Sequence, residues 1–373
     1  MRRMTYIHEL GAWPDLRWNL NMLAARLAGV RHSQGRLLGR MESLGFQLRS
    51  EAVLETLTAD VLKSSEIEGE HLNLDQVRSS IARRLGMDVV GLVPADRDVE
   101  GVVDMMLDAT QRYAEPLTEE RLLSWHAALF PTGRSGLNKI VVGTWREDAG
   151  GPMQVVSGPF GREKIHFEAP AAGLIPAEMA SFLAWFEADQ GIDQVLKAGI
   201  AHLWFVTIHP FEDGNGRIAR AITDMALARS ENSAQRFYSM SAQIRTERAD
   251  YYHMLERTQK SDLDITTWLD WFLDCLARAI AQADQLLGGV LEKAHFWEKH
   301  AQVVMNDRQR KVLNRVLNGF EGKLTSSKWA KLTKASQDTA SRDIVDLVKK
   351  GVLVRDEAGG RSTSYSLVKA DPA

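Results

Sequence analysis

Apolar residues recur at helical spacing along nearly the whole chain. Leu20, Leu23, Leu27 and Val30 form one stripe. Leu54, Leu57, Val61 and Leu62 form a second, which runs on through Ser64-Ser65-Glu66-Ile67-Glu68-Gly69-Glu70. Gly69 is placed to end that helix, because glycine readily takes the left-handed conformation found at helix C-termini. Trp13 and Trp18 on either side of Pro14 predict a bend packed by aromatics. Thr118 caps an amphipathic stretch carrying Leu122, Leu123, Trp125 and Leu129, in which His126 reads as a satisfied core histidine. A helix is expected over about 177–189. Another runs from Val195 and is apolar nearly all round (Ile200, Leu203, Trp204, Val206, Ile208), the pattern of a central buried helix. Pro210 ends it by disfavouring the α conformation at His209. Further helices are predicted at about 218–229, 247–258 and 264–287, the last carrying Trp268, Trp271, Phe272 and Leu276.

The periodicity changes twice. Between about 133 and 170 glycine becomes frequent, and Met153-Gln154-Val155-Val156 and Lys164-Ile165-His166-Phe167 flank Ser157-Gly158-Pro159-Phe160-Gly161. That is the signature of a two-stranded hairpin, either a surface ribbon or a lid beside a site. Beyond 305, helices are expected at 306–317, 326–333 and 338–350. A hairpin follows, from Val352-Leu353-Val354 through a turn at Gly359-Gly360 to Ser364-Tyr365-Ser366-Leu367, which completes a winged helix-turn-helix plan. The expected class is therefore mainly α. Its parts are an N-terminal helical region (1–115), a helical core with a β-hairpin (116–287), a helical connector (288–305) and a winged-helix module (306–373).

Composition narrows the partners. Over 373 residues the chain is 45% hydrophobic and 25% charged with a net charge of -3, ordinary for a globular protein. Its single cysteine, Cys275, excludes an internal disulfide framework. With no signal-peptide pattern after Met1-Arg2-Arg3, a cytoplasmic protein is expected. No apolar run approaches the ~18 residues that a membrane span requires, so no membrane partner is expected. The charge is uneven. Residues 306–370 hold fourteen Lys and Arg against seven Asp and Glu, a local +7 that leaves the remainder near -10. That segment is a candidate surface for DNA, or for a protein partner, with Asp338, Asp343 and Asp346 on its reading helix as the counterweight. Exposed helical faces in the N-terminal part leave room for a homodimer.

The densest chemistry lies in His209-Pro210-Phe211-Glu212-Asp213-Gly214-Asn215-Gly216-Arg217-Ile218-Ala219-Arg220. Gly214-Asn215-Gly216 permits positive φ and a concave nest of N–H groups, and the helix that follows adds its N-terminal dipole. Arg217 and Arg220, three residues apart, share a face of that first turn, where cations oppose the dipole by roughly 0.3–1 kcal/mol each. An anion held between them resolves the conflict. Asp213 is suited to Mg²⁺ bridging phosphates, and His209 to general-base work near neutral pH. Phe211 is expected to anchor the loop and Glu212 to be a solvated neighbour. Glu66, Glu68 and Glu70 sit at a helix C-terminus, an end that disfavours negative charge. Locally they read either as a solvated acidic face or as a group of which one meets a cation elsewhere in the fold.

The stretch matches, position for position, the signature of the Fic family, His-x-Phe-x-Asp/Glu-Gly-Asn-Gly-Arg-x-x-Arg. Supporting resemblance extends over about 118–275, through Gly143-Thr144-Trp145-Arg146, the hairpin and Tyr251-Tyr252. The resemblance implies transfer of AMP from ATP, with Mg²⁺, to a hydroxyl of a Tyr, Ser or Thr on an unknown target protein or on the chain itself. It implies His209 as the base, Asp213 at the metal, and Gly214, Asn215, Gly216 and Arg217 at the α- and β-phosphates. Arg220 falls at the γ-phosphate. Val156, Ser157 and Gly158 of the hairpin "flap", together with Tyr252, complete the implied nucleotide and target site. Ser64-Ser65-Glu66-Ile67-Glu68-Gly69 is similar to the family's inhibitory pattern, Ser/Thr-x-x-x-Glu-Gly/Asn, placed N-terminal to the core as in its second class. Glu68 would then pair with Arg220 and hold the site shut. Two other readings stay open: removal of AMP with help from Glu68, and a DNA-binding regulator whose Fic core senses nucleotide.

Overall fold

The computed structural model describes residues 5–42, 45–87, 92–148, 150–158, 161–317, 322–356 and 363–368, without the side chains of 46, 47 and 285–295. It contains two compact units, Met1–Ala283 and Asp284–Ala373. The expected turns at Pro159-Phe160 and Gly359-Gly360 lie outside the described residues.

The first unit begins with a 3-10 turn at Ile7–Glu9. Five helices follow: α1 (Leu20–Glu42), α2 (Phe46–Ile67), α3 (Leu74–Arg84), α4 (Arg97–Gln111) and α5 (Glu119–Leu129). Two short hairpins come next, β1 (Arg134–Ser135) with β2 (Asn138–Lys139), and β3 (Gln154–Ser157) with β4 (Lys164–Glu168). Helices then resume as α6 (Ile175–Glu187), α7 (Gln194–Ile208), α8 (Asn215–Glu231), α9 (Met240–Thr246), α10 (Arg248–Gln259) and α11 (Thr266–Lys299), whose residues beyond Ala283 belong to the second unit. The architecture is mainly helical, as the periodicity predicts. The last helix runs twelve residues past the expected end at 287.

The core is built on α7, which is buried on every side from Val195 to Ile208. Its chief partner is α8, and α11 crosses it closely enough for Trp268 Nε1 to donate to the Gly199 carbonyl at 2.8 Å. The acidic helix α2 belongs to this core as well. Leu54, Leu57, Val61 and Ile67 are all at most 1% exposed. Asp60 of α2 accepts from Ser239 Oγ at 2.5 Å, beside a fully buried Arg236–Asp224 pair at 2.9 Å. Ionised groups are buried at a cost of several kcal/mol each unless partnered, so these polar contacts fix how α2 docks.

The second unit holds α12 (Asp307–Leu317), α13 (Ser326–Thr333), α14 (Gln337–Lys349) and the antiparallel pair β5 (Leu353–Arg355) and β6 (Tyr365–Leu367). Trp329, Val312, Leu313, Ile344, Leu347 and Val352 make its core. Thr325 and Ser336 cap α13 and α14 through their hydroxyls. Of the three acidic residues expected on the outer face of α14, Asp343 is turned inward. It is buried and accepts from Asn306 Nδ2 at 2.9 Å and Arg308 Nε at 3.0 Å. Asp346 accepts from Gln309 Nε2 at 2.9 Å and from Lys350 Nζ at 2.5 Å. The helix therefore presents less unpaired negative charge than its sequence implies.

Candidate active site

The loop between α7 and α8 carries the histidine. His209 caps α7 in the left-handed region, φ 52° and ψ 57°. A residue with a Cβ holds that conformation at a cost of about 1–3 kcal/mol, so the surroundings must enforce it. Arg146, 3% exposed, does so. Its Nε donates to the His209 carbonyl at 2.8 Å, its backbone N–H to the Pro210 carbonyl at 2.9 Å, and its Nη1 to Asp148 at 2.8 Å. The imidazole Nδ1 sits 3.2 Å from the Val206 carbonyl, which can only accept, so Nδ1 carries the proton and Nε2 keeps its lone pair. Loss of solvation lowers the His209 pKa to about 4, leaving the ring neutral near pH 7.

Phe211 locks the loop from below. It is fully buried and stacks on His126 at 4.1 Å and against Trp145 at 5.1 Å. His126 is thus a core residue, as its sequence context indicates, and it also braces the loop. Its Nδ1 accepts from the Gly143 N–H at 3.2 Å, and burial lowers its pKa to about 4. Asn215 is spent on the same task. Its Oδ1 accepts from the Phe211 N–H at 3.0 Å and its Nδ2 donates to the Phe211 carbonyl at 2.8 Å. Glu212 is not merely solvated: it accepts the Val141 N–H at 2.9 Å and ties the loop to the irregular segment after β2.

The two glycines of the turn differ from the expected pair of positive-φ positions. Gly214 has φ +82° and caps α8, and a Cβ there would stand 2.9 Å from the Phe130 ring. Gly216 lies within the first turn of α8. What it requires is space, since a Cβ would come within 2.1 Å of Glu68 Oε1. The glutamate therefore rests directly on the helix N-terminus where an anion is expected.

That placement comes from the end of α2. Glu68 is its C-cap, Gly69 follows at φ +88°, and the Glu70 N–H returns to the Ser65 carbonyl at 3.0 Å. Arg248 Nε fixes the turn by donating to the Ile67 carbonyl at 2.7 Å. Glu68 Oε1 accepts from Arg220 Nη2 at 2.8 Å, and Oε2 lies 3.3 Å from the Tyr252 hydroxyl. Arg220, 2% exposed, also donates to Ser64 Oγ at 2.8 Å and to the Ser64 carbonyl at 2.9 Å. Arg217, equally buried, packs on the Phe130 ring at 5.0 Å and pairs with Glu70 at 2.5 Å. Glu68 and Glu70 thus meet cations from α8, while Glu66 pairs with Lys63 of its own helix at 2.7 Å.

Asp213 accepts the Ser135 hydroxyl from β1 and its neighbour's Gly214 N–H at 2.6 Å. It faces a cavity of about 720 Å³ lined also by Glu68, His209, Asn215, Gly216 and Tyr252 and by Val156 and Ser157 of β3. Arg217, Arg220, Gly214 and Gly158 are not among the lining residues. The β3–β4 hairpin is fastened to the core twice. Phe167 is buried against Tyr6, and His166 Nδ1 lies 2.6 Å from Glu256 of α10 while its Nε2 lies 2.5 Å from Ser157 Oγ. Val156 and Ile165 remain about half exposed.

The partly exposed Asp213 carboxylate beside this cavity fits a divalent cation that draws its other ligands from phosphate and water. Among the described residues no group of three or more His, Cys, Asp or Glu could hold a metal ion alone. Arg146, Ser135, Glu70 and the bracing role of His126 were not assigned from sequence. Each lies far along the chain from what it touches, and no local spacing marks it.

Comparison with known proteins agrees with the motif. Residues 116–227 match the model of the Fic/DOC family, and 6–87 match a domain of unknown function, DUF4172. A protein adenylyltransferase Fic from Drosophila mojavensis is 24% identical over 225 residues, 59% of this chain and 40% of its own length. Protein adenylyltransferase fic-1 from Caenorhabditis briggsae is 28% identical over 211 residues, covering 56% and 38% respectively. The chain thus spans about two fifths of the length of these curated relatives. Among solved structures, a Fic family protein from Desulfovibrio desulfuricans G20 aligns over 93% of this chain and 97% of its own with a TM-score of 0.51 at 21% identity. A Fic domain containing signaling protein from Bacteroides thetaiotaomicron VPI-5482 aligns over 68% and 95% with a TM-score of 0.50 at 20% identity. The helical core has the Fic fold.

Proposed function

We propose, from the match of residues 116–227 to the model of the Fic/DOC family, that the chain is a protein adenylyltransferase whose resting state is autoinhibited. The observation that carries this reading is one cavity in which a neutral His209 and Asp213 face Gly216, with Arg220 held behind by Glu68. His209 Nε2 takes the proton from a target hydroxyl. The hydroxyl oxygen then bonds to the α-phosphorus of ATP, and the bond to the bridging oxygen breaks to release pyrophosphate. Arg217, Arg220 and the N-terminal amides of α8 supply the counter-charge, which is the principal contribution proteins make to phosphoryl chemistry. Asp213 would hold Mg²⁺, whose chemical contribution is to neutralise charge on the phosphates. The exposed edge of β3, with Val156 and Ser157, would align the target's backbone by strand-like pairing.

Glu68 competes with the γ-phosphate for Arg220, so the triphosphate binds productively only when that carboxylate swings away. The decisive experiment incubates wild type, Glu68→Gly and Glu68→Gly/His209→Ala with Mg²⁺ and α-labelled ATP. Label on the Glu68→Gly protein or its targets, and none with the double variant, is expected. Equal labelling of the two would remove His209 from the mechanism.

A second reading is favoured by Glu68 lining the same cavity as His209. There the carboxylate would help water remove AMP from a modified target. Release of AMP that survives Glu68→Gly would count against it.

A further inference from the structure

We infer that Glu70 is a second occupant of the polyphosphate site, holding Arg217 as Glu68 holds Arg220, so that nucleotide must displace two carboxylates rather than one. The inference rests on the polyphosphate reading above and extends it to a residue that the inhibitory pattern does not contain. It follows from register. On α8 the two arginines are three residues apart and share one face. On the turn after α2 the two glutamates are two residues apart, and Gly69 between them takes φ +88°. The turn is pinned by the Glu70 N–H on the Ser65 carbonyl and by Arg248 on the Ile67 carbonyl. Both carboxylates therefore reach the first turn of α8 together, Glu68 on Arg220 at 2.8 Å and Glu70 on Arg217 at 2.5 Å.

The two contacts differ in strength of attachment. Arg220 is gripped by α2 three times, through Ser64 Oγ, the Ser64 carbonyl and Glu68. For Arg217 the charged partner is Glu70, whose side chain is 41% exposed against 28% for Glu68. Among the described residues nothing accepts from Arg217 Nε or Arg220 Nη1, though both atoms are buried. Each guanidinium thus retains donor capacity that its present carboxylate does not fill. Phosphate oxygens, more numerous and more highly charged, would fill it. Glu70 is the outer of the two groups and the more easily displaced.

The test is calorimetric titration of the full chain with MgATP and, separately, with AMP, which lacks the β- and γ-phosphates. Wild type, Glu68→Gln, Glu70→Gln and the double variant are compared, with a melting curve for each. The double variant is expected to bind MgATP at least tenfold more tightly than Glu68→Gln alone, while AMP affinity changes by less than twofold between them. A gain below twofold for MgATP, or an equal gain for AMP, would overturn the inference, the latter because general opening would explain it. If leaving Arg217 unpaired unfolds Glu70→Gln, Glu70→Asp replaces it. That variant keeps the charge but is one methylene too short for the contact, and a MgATP affinity unchanged in the Glu68→Gln background would equally overturn the proposal. Should no variant bind nucleotide, the polyphosphate reading falls and takes this one with it. Should nucleotide bind as expected without transfer to any protein, only the transferase reading falls.

Discussion

At the scale of single residues, the site is governed by what can stand next to Gly216. A methyl group there would meet Glu68 Oε1 at 2.1 Å, so Gly216→Ala is expected to push the carboxylate off Arg220. Leaving a buried guanidinium with one fewer partner should destabilise the fold by about 1–3 kcal/mol, read as a lowered melting temperature. Adding Glu68→Gly should cost little more, since the contact it deletes is the one that Gly216→Ala already breaks. The buried histidines give a second prediction. His209 and His126 are held to a pKa of about 4 and His202 to about 3, in each case chiefly by loss of solvation. An unfolded histidine titrates near 6.5. Below that value the unfolded chain binds protons that the folded chain refuses, so stability is lost as pH falls from about 6.5 toward 4. Melting curves across that window should show the loss, and His202→Gln should flatten it. For activity, the same depression of the His209 pKa keeps the base unprotonated, so the acid limb of the rate profile should lie well below pH 6.

At the scale of elements, the β3–β4 hairpin and the His209 loop are both held by long-range clamps. His166→Ala removes the contact to Glu256 of α10 and the partner of Ser157. Amide exchange in β3 and β4 should then rise while exchange in α7 stays unchanged, because Phe167 still anchors the strand and α7 is buried throughout. Arg146→Ala should be costlier. It leaves the left-handed His209 without its main restraint, and a drop in turnover of about 10²-fold is expected from misplacement alone. What sequence could show at this scale follows from distance along the chain. His209 to Arg220 were legible because twelve contiguous residues carry the loop, the cap and both cations. Glu68 was reached only through a six-residue pattern read beside that loop. Arg146 and Ser135 stay hidden because their partners are 63 and 78 residues away, and for Glu70 the local pattern allows a cation but does not name Arg217, 147 residues on. Gly216 was read as a matter of φ when its neighbour Glu68, absent from any local window, is what demands a glycine. Helices α3 and α4 fall within the general expectation of helix over 1–115, α9 at Met240–Thr246 has no counterpart among the expected helices, and Asp60 on Ser239 is hidden for the same reason as Arg146.

At the scale of the molecule, the chain divides at Ala283 into two units with separate apolar cores. Calorimetry should resolve two unfolding transitions, and only the one belonging to Met1–Ala283 should shift on Glu68 or Glu70 substitution. The second unit contains the local +7 of residues 306–370, and with Asp343 turned inward α14 presents Asp338, Ser341, Arg342, Val345, Asp346 and Lys349 around a shallow depression. If that face contacts DNA phosphates, binding of duplex by the full chain should weaken steeply with salt and further with Arg342→Glu. Binding indifferent to salt would point to a protein partner instead. Among the described residues no helix is long and apolar enough to cross a membrane.

The burial of α2 has a consequence for how fast such a site can open. A helix whose Leu54, Leu57, Val61 and Ile67 are wholly enclosed cannot leave without melting part of the core, a process of microseconds to seconds. Glu68 and Glu70, by contrast, are the two groups at its end that reach toward solvent, and side-chain rotation takes picoseconds to nanoseconds. With Ser64 still holding Arg220, the backbone can stay in place while the carboxylates exchange with an incoming anion. Admission would then be set by nucleotide concentration and by how often two rotamers coincide, with no hinge to wait for.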